Sequence, residues 1–242
     1  MSNIAGKAYA MNVLTPMPPR WTWLQVLLFM VSRCQPSQLR GLLGLRLIHF
    51  ARWVIIRRDQ WPDLGQPAQT LQNDYMLFCS NFNGTWDQYI DAFADGIPSG
   101  LDLFWYASTK YPHSIPITAF KAYISHNQID TDYYYNATPG AAQRDIKRAL
   151  MVADAVRALE RTYASGKSES ATFARTYRKA LLAVQNCLGS PGLAPTASIA
   201  TELADRNLRE YLNRRQHQKV DPAQPPAPVA SPAPEAVASA AE

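Results

Sequence analysis

Twelve residues, Trp21-Thr-Trp-Leu-Gln-Val-Leu-Leu-Phe-Met-Val-Ser32, limit the fold more than any other segment of this chain. Pro16, Pro18 and Pro19 stop a helix from starting earlier, and Pro36 stops it from continuing. Wound as a helix, the run places apolar side chains on all sides, so it has to be buried in something. At 1.5 Å per residue it reaches about 18 Å, well short of a hydrocarbon core of about 30 Å. No uninterrupted apolar run in the chain is long enough to span a bilayer.

Charge says what such a segment meets. The chain carries 24 basic and 19 acidic residues, but the first acidic residue is Asp59. Lys7, Arg20, Arg33, Arg40, Arg46, Arg52, Arg57 and Arg58 precede it unopposed, and the remaining chain has a small acidic excess. A basic first quarter on a mildly acidic body points to an anionic surface met by one end. Residues 1–44 therefore read as a docking segment, with Arg20, Trp21, Trp23, Leu24, Leu27, Leu28, Arg33, Arg40 and Arg46 as its contact set. The tryptophans suit headgroup depth and the arginines suit lipid phosphates. A partner protein is the alternative counterpart, and burial in the chain's own core or a signal peptide are the competing assignments. The signal peptide fails on Arg33, which stands where cleavage needs small residues. Nucleic acid is disfavoured, because the arginines of Leu39-Arg-Gly-Leu-Leu-Gly-Leu-Arg-Leu47 are interleaved with leucines rather than clustered on a polar face. The expected location is cytoplasmic, peripheral at the inner membrane.

Three widely spaced cysteines, Cys34, Cys79 and Cys187, make neither a disulfide framework nor a zinc site. Phosphate-binding glycine loops, HExxH helices and GxSxG elbows are absent, so no reaction is declared.

Residues 45–165 read as an α+β domain. Strands are expected at 46–58 and 74–82, followed by an Asn83-Gly84 turn and a helix capped by Thr85 that carries Trp86, Tyr89, Ile90 and Phe93. A third strand at 101–107, a short helix at 118–125 and a fourth strand at 130–137 follow. Pro139 suits the first turn of a long helix through Tyr163. Further helices are expected across 173–188 and 198–216 within an appended unit, 166–218. Residues 219–242, rich in Pro and Ala, have the composition of a disordered tail. The resulting order, β-β-α-β-β-α, is a circular permutation of the ferredoxin-like β-α-β-β-α-β. One antiparallel sheet then has helices on one face, and its other face needs a cover: the N-terminal segment, the C-terminal helices or a second copy of the chain.

Three stretches resemble a family of uncharacterised bacterial proteins: Ile48-His-Phe-Ala-Arg-Trp-Val-Ile-Ile56, Phe82-Asn-Gly-Thr-Trp-Asp-Gln-Tyr89, and Tyr134-Tyr-Asn-Ala137 with Pro139. The resemblance spans 45–159 and implies a ferredoxin-like α+β domain. It brings no catalytic residues, and Asn83 stands where an aspartate is expected in many relatives, which weakens any carboxylate site there. In the wide sense some ferredoxin-like proteins bind haem, and this fold-level analogy makes a haem oxidoreductase with His49 or His113 as axial ligand the alternative function.

The candidate ligand site comprises His49, Arg52, His113 and Tyr134. His49 and Arg52, three apart, face opposite sides of a regular strand and share a site only across a bulge. Otherwise Arg52 is expected to pair with Asp87 or Asp91. Asp87, Asp91 and Asp95 share a helix face, more in keeping with solvation than with a cation. No metal motif is present.

Overall fold

The computed structural model describes residues 2–34, 47–62, 64–67, 70–164, 170–189 and 199–218. In chain order these form β1 (Ile4–Ala5), β2 (Ala8–Met17), α1 (Pro19–Cys34), β3 (Ile48–Ile56), β4 (Asp74–Phe82), α2 (Trp86–Gly96), α3 (Pro98–Trp105), α4 (Ile117–Asn127) and β5 (Gln128–Ile129). After these come α5 (Gln143–Ala164), α6 (Ser170–Val184), a 3-10 turn (Gln185–Cys187) and α7 (Ile199–Gln218).

The five strands make one antiparallel sheet in the order β1-β2-β4-β3, with β5 also pairing with β2. Strand β2 lies in its middle, paired with β4 from Tyr9↔Phe82 to Met17↔Asp74. Its alternate residues Tyr9, Met11, Val13, Thr15 and Met17 are all buried, the period-2 signature of a strand facing a core. Residues 4–5 and 8–17 thus belong to the same sheet as β3 and β4.

Two expected strands are absent. Residues 101–107 fall largely in helix α3. Pro98 starts it, where the missing amide costs nothing, and Leu101, Phe104 and Trp105 are buried at helical spacing. Of 130–137 no residue is in a strand; β5 ends at Ile129. The segment 130–142 is instead an irregular strap whose polar side chains bond locally and to backbone, in competition with a ladder. Asn136 donates to the Ala5 carbonyl (2.9 Å), Thr131 N–H donates to Asn3 Oδ1 (2.8 Å), and Lys7 N–H donates to the Pro139 carbonyl (2.9 Å). Helix α5 accordingly starts at Gln143, not at Pro139. The permuted order is therefore not observed: the sheet is built from β2, β3, β4 and β5, with α1 between β2 and β3 and helices between β4 and β5.

The remaining elements form as their residues dictate. Thr85 accepts a hydrogen bond from Gln88 N–H (3.1 Å) and so caps α2. Met76, Phe78 and Phe82 of β4 join Trp86, Tyr89, Ile90 and Phe93 of α2, Trp105 of α3 and Phe120 of α4 in a single core on one sheet face. Helix α7 closes it with Leu212, and Asp205 of α7, itself buried, accepts from the Trp86 N–H (3.0 Å) at the start of α2.

The opposite sheet face is largely without a helical cover among the described residues. Phe50 is 74% exposed and Val54 is 43% exposed there, beside the exposed Arg52.

Candidate functional site

Helix α1 is built inside out. Thr22 and Gln25, its two buried residues, are polar. Thr22 donates to Asp74 at the start of β4, and Gln25 donates to the Phe104 carbonyl of α3 (2.9 Å). Trp23, Leu27, Met30 and Val31 stand on the other side, and Trp23 is 63% exposed. At 100° per residue these four fall within an arc of about 100°, roughly opposite the arc through Thr22, Gln25 and Phe29. Ordinary amphipathic packing would place them the other way round. The buried polar pair has its partners, so the arrangement leaves no donor stranded.

Other members of the expected contact set fall around this stripe. Arg20 is exposed, with its guanidinium carbon 5.8 Å from the Trp21 ring centre. Trp21 is half-buried and meets Tyr106 edge-on at 5.7 Å. Leu24 is partly buried, Leu28 packs against the core, and Arg33 is exposed at the C-terminal turn. Arg40 and Arg46 lie outside the described residues.

An open groove of about 610 Å³ is formed by α3 and the loop that follows it, lined by Asp102, Leu103, Tyr106, Lys110, Tyr111 and His113, with Ser99 and Ser108. Its polar wall is a tight loop organised around Asp102. The Asp102 carboxylate accepts from Ser114 N–H (2.7 Å) and from the Tyr111 hydroxyl (2.9 Å), and its other oxygen lies 3.7 Å from His113 Nδ1. Burial alone would raise its pKa, but the Ser114 amide, the Tyr111 hydroxyl and His113 hold it below the usual aspartate range. Burial and the same carboxylate push the Tyr111 hydroxyl well above the ordinary tyrosine range. Lys110 (φ 57°) and His113 (φ 70°) both occupy the left-handed region. That conformation costs a non-glycine residue about 1–3 kcal/mol and is found where the surrounding structure fixes a side chain in place. Tyr106 joins this groove to α1 through its contact with Trp21.

The proposed ligand set does not assemble. Among the described residues, His49, Arg52, His113 and Tyr134 make no hydrogen bond or ion pair with one another. His113 belongs to the groove loop, whereas His49 sits at the register shift between Ile48 and Phe50 of β3. A bulge is therefore present, yet it does not join His49 to Arg52. Burial lowers the His49 pKa, opposed by a hydrogen bond with Asn83, and its buried Nε2 has no hydrogen-bond partner. Arg52 lies on the exposed sheet face, away from the carboxylates expected for it. Asp87 and Asp91 pair instead with Lys121, each at 2.6 Å. Tyr134 accepts from the Asn81 amide (2.7 Å), fixing the strap to β4. Among the described residues no group of three or more His, Cys, Asp or Glu side chains is placed to hold a metal ion.

Sequence reasoning picked out His113 but missed its neighbours Asp102, Lys110 and Tyr111. The available signal was the density of Lys, Tyr and His around Pro112 in a loop between two short helical patterns. The Asp102 contact depends on α3 being a helix, which the strand reading of 101–107 concealed.

No family model, curated protein or solved structure matches this chain. No helix among the described residues is long and apolar enough to cross a membrane.

Proposed function

We propose that the protein is a membrane-surface docking module, held on an anionic lipid surface by the outer face of α1. The observation that carries this is the inversion of that helix, polar residues inward and Trp23, Leu27, Met30 and Val31 outward. A helix of 16 residues, about 24 Å long, lying in plane with this exposed apolar stripe outward suits the headgroup boundary. Charge selects the lipid: Arg20 and Arg33 stand at its two ends, and no acidic residue precedes Asp59. The chain order β2-α1-β3-β4-α2-β5, with sheet order β5-β2-β4-β3, supports an unpermuted ferredoxin-like scaffold beneath that helix.

The test is co-sedimentation of the full chain with vesicles. Binding to phosphatidylcholine vesicles containing about 30% phosphatidylserine should exceed binding to phosphatidylcholine alone and weaken as salt rises. Changing Trp23 and Leu27 together to Ser removes two membrane-facing side chains, and affinity should fall about 100-fold with the thermal midpoint unchanged. Indifference to lipid charge, or to the double substitution, overturns the reading. Retention in solution with both vesicle types would leave a protein partner as the occupant of this face.

One atom favours the haem alternative, the unpartnered Nε2 of His49. That reading requires a Soret band on haem addition that disappears with His49→Ala. On the docking reading the spectrum at saturating haem stays that of free haem.

A further inference from the structure

We propose that the groove formed by α3 and the loop after it is a binding site for a phosphate monoester carrying an apolar group, with Lys110 and His113 holding the phosphate. It is separate from the outer face of α1, but the two are contiguous through the contact between Trp21 and Tyr106.

The argument begins with charge. Asp102 is the groove's carboxylate: one oxygen accepts from Ser114 N–H and the Tyr111 hydroxyl, and the other faces His113 Nδ1 at 3.7 Å, too far for a hydrogen bond. Lys110 has no ion-pair partner among the described residues, is exposed and lines the same groove. The groove therefore presents an ammonium that no carboxylate among the described residues contacts directly, with the Ser99 hydroxyl and the 73%-exposed His113 on its walls. A phosphate monoester, with several acceptor oxygens and more than one negative charge, matches a lysine point charge, the Ser99 hydroxyl and the Nε2–H of a protonated His113. Leu103 and Tyr106, both about half exposed, line the same groove and suit the ester's apolar portion. The volume, about 610 Å³, is that of a small-molecule site.

Backbone geometry adds a second observation. Both phosphate-binding residues occupy positive φ, where glycine is the comfortable residue. Side chains are carried there against the local backbone preference, and both open into the groove. The same fact supplies a clean experiment. Lys110→Gly and His113→Gly each delete a side chain while relieving backbone strain, so lost binding cannot be blamed on lost folding.

Two sources of the phosphate monoester are separable. Titration calorimetry of the full chain with inorganic phosphate and with glycerol 3-phosphate tests a free ligand. Vesicles containing phosphatidic acid, compared with phosphatidylserine vesicles matched in surface charge, test a lipid headgroup; this arm rests on the docking reading, the soluble arm does not. Saturable binding to a soluble probe, or preference for phosphatidic acid, weakened about tenfold or more by each glycine variant at an undiminished thermal midpoint, supports the site. Saturation by no probe, or wild-type binding by both glycine variants, overturns it. The variant with Ser at 23 and 27 keeps the two failures apart: it should lose vesicle binding yet retain any soluble-phosphate binding.

Discussion

Gly6→Ala should unfold this protein more readily than the same change at Gly65, Gly84, Gly100 or Gly189. A Cβ on Gly6 would sit 2.3 Å from the Pro139 carbonyl oxygen and 2.5 Å from the Pro139 Cα, both backbone atoms that cannot swing aside. The residue also holds φ at +62°, which costs an alanine about 1–2 kcal/mol by itself. The combined loss should be about 3 kcal/mol, measured as a lower urea midpoint at constant slope. Gly65→Ala is the matched control. It too has positive φ, but nothing lies within 4 Å of its added Cβ, so only the backbone contribution remains. Equal effects at both positions would show that the close approach of the strap to β1 and β2 does not matter.

The second large effect is expected one residue further on. The Lys7 ammonium, almost wholly buried, lies 3.2 Å from Asp145 Oδ2, and that oxygen also accepts from the Ala142 N–H (3.0 Å) at the start of α5. Asp145→Asn keeps the shape but removes the carboxylate that faces a buried ammonium, at a cost of about 3 kcal/mol. Lys7→Met, which removes the charge together with its need for a partner, should cost less. Burial alone would raise the Asp145 carboxyl, but the Ala142 amide and Lys7 hold it below the ordinary aspartate range. The sign follows from linkage. A carboxyl with a depressed folded-state pKa stabilises fully above its unfolded value, and the contribution disappears as pH falls through the folded value. Wild-type stability should therefore drop on acidification below about pH 4, and Asp145→Asn should drop less steeply. Parallel pH profiles for the two proteins would remove Asp145 as a source of acid sensitivity.

Much of the fold was legible where one local signal dominated. Alternation of branched and aromatic residues marks β3 and β4, and Thr85 before an apolar helical spacing marks α2. Legibility failed where the signals conflict. Ala8, Ala10, Asn12 and Pro16 are weak strand formers, so the alternation of Tyr9, Met11, Val13 and Met17 was concealed. Branched and aromatic side chains in 101–107 and 130–137 suggested strands, but in α3 burial on a helical face prevails, and in the strap Asn136, Thr131 and Pro139 favour irregular backbone. Helix α1 was visible as an apolar run between arginines. Which of its faces stays outside was not, because that depends on Asp74 and the Phe104 carbonyl, about 50 and 80 residues away in sequence, capturing Thr22 and Gln25.

The central position of β2 has a consequence for proteolysis. A peptidase cutting just beyond α1 would release, along with the greasy helix, the only strand that holds β4 to β1 and β5. What remained would be a β3-β4 ribbon with a newly opened edge and a core stripped of one wall. Loss of the chain through α1 and possession of this sheet are thus mutually exclusive fates for one polypeptide.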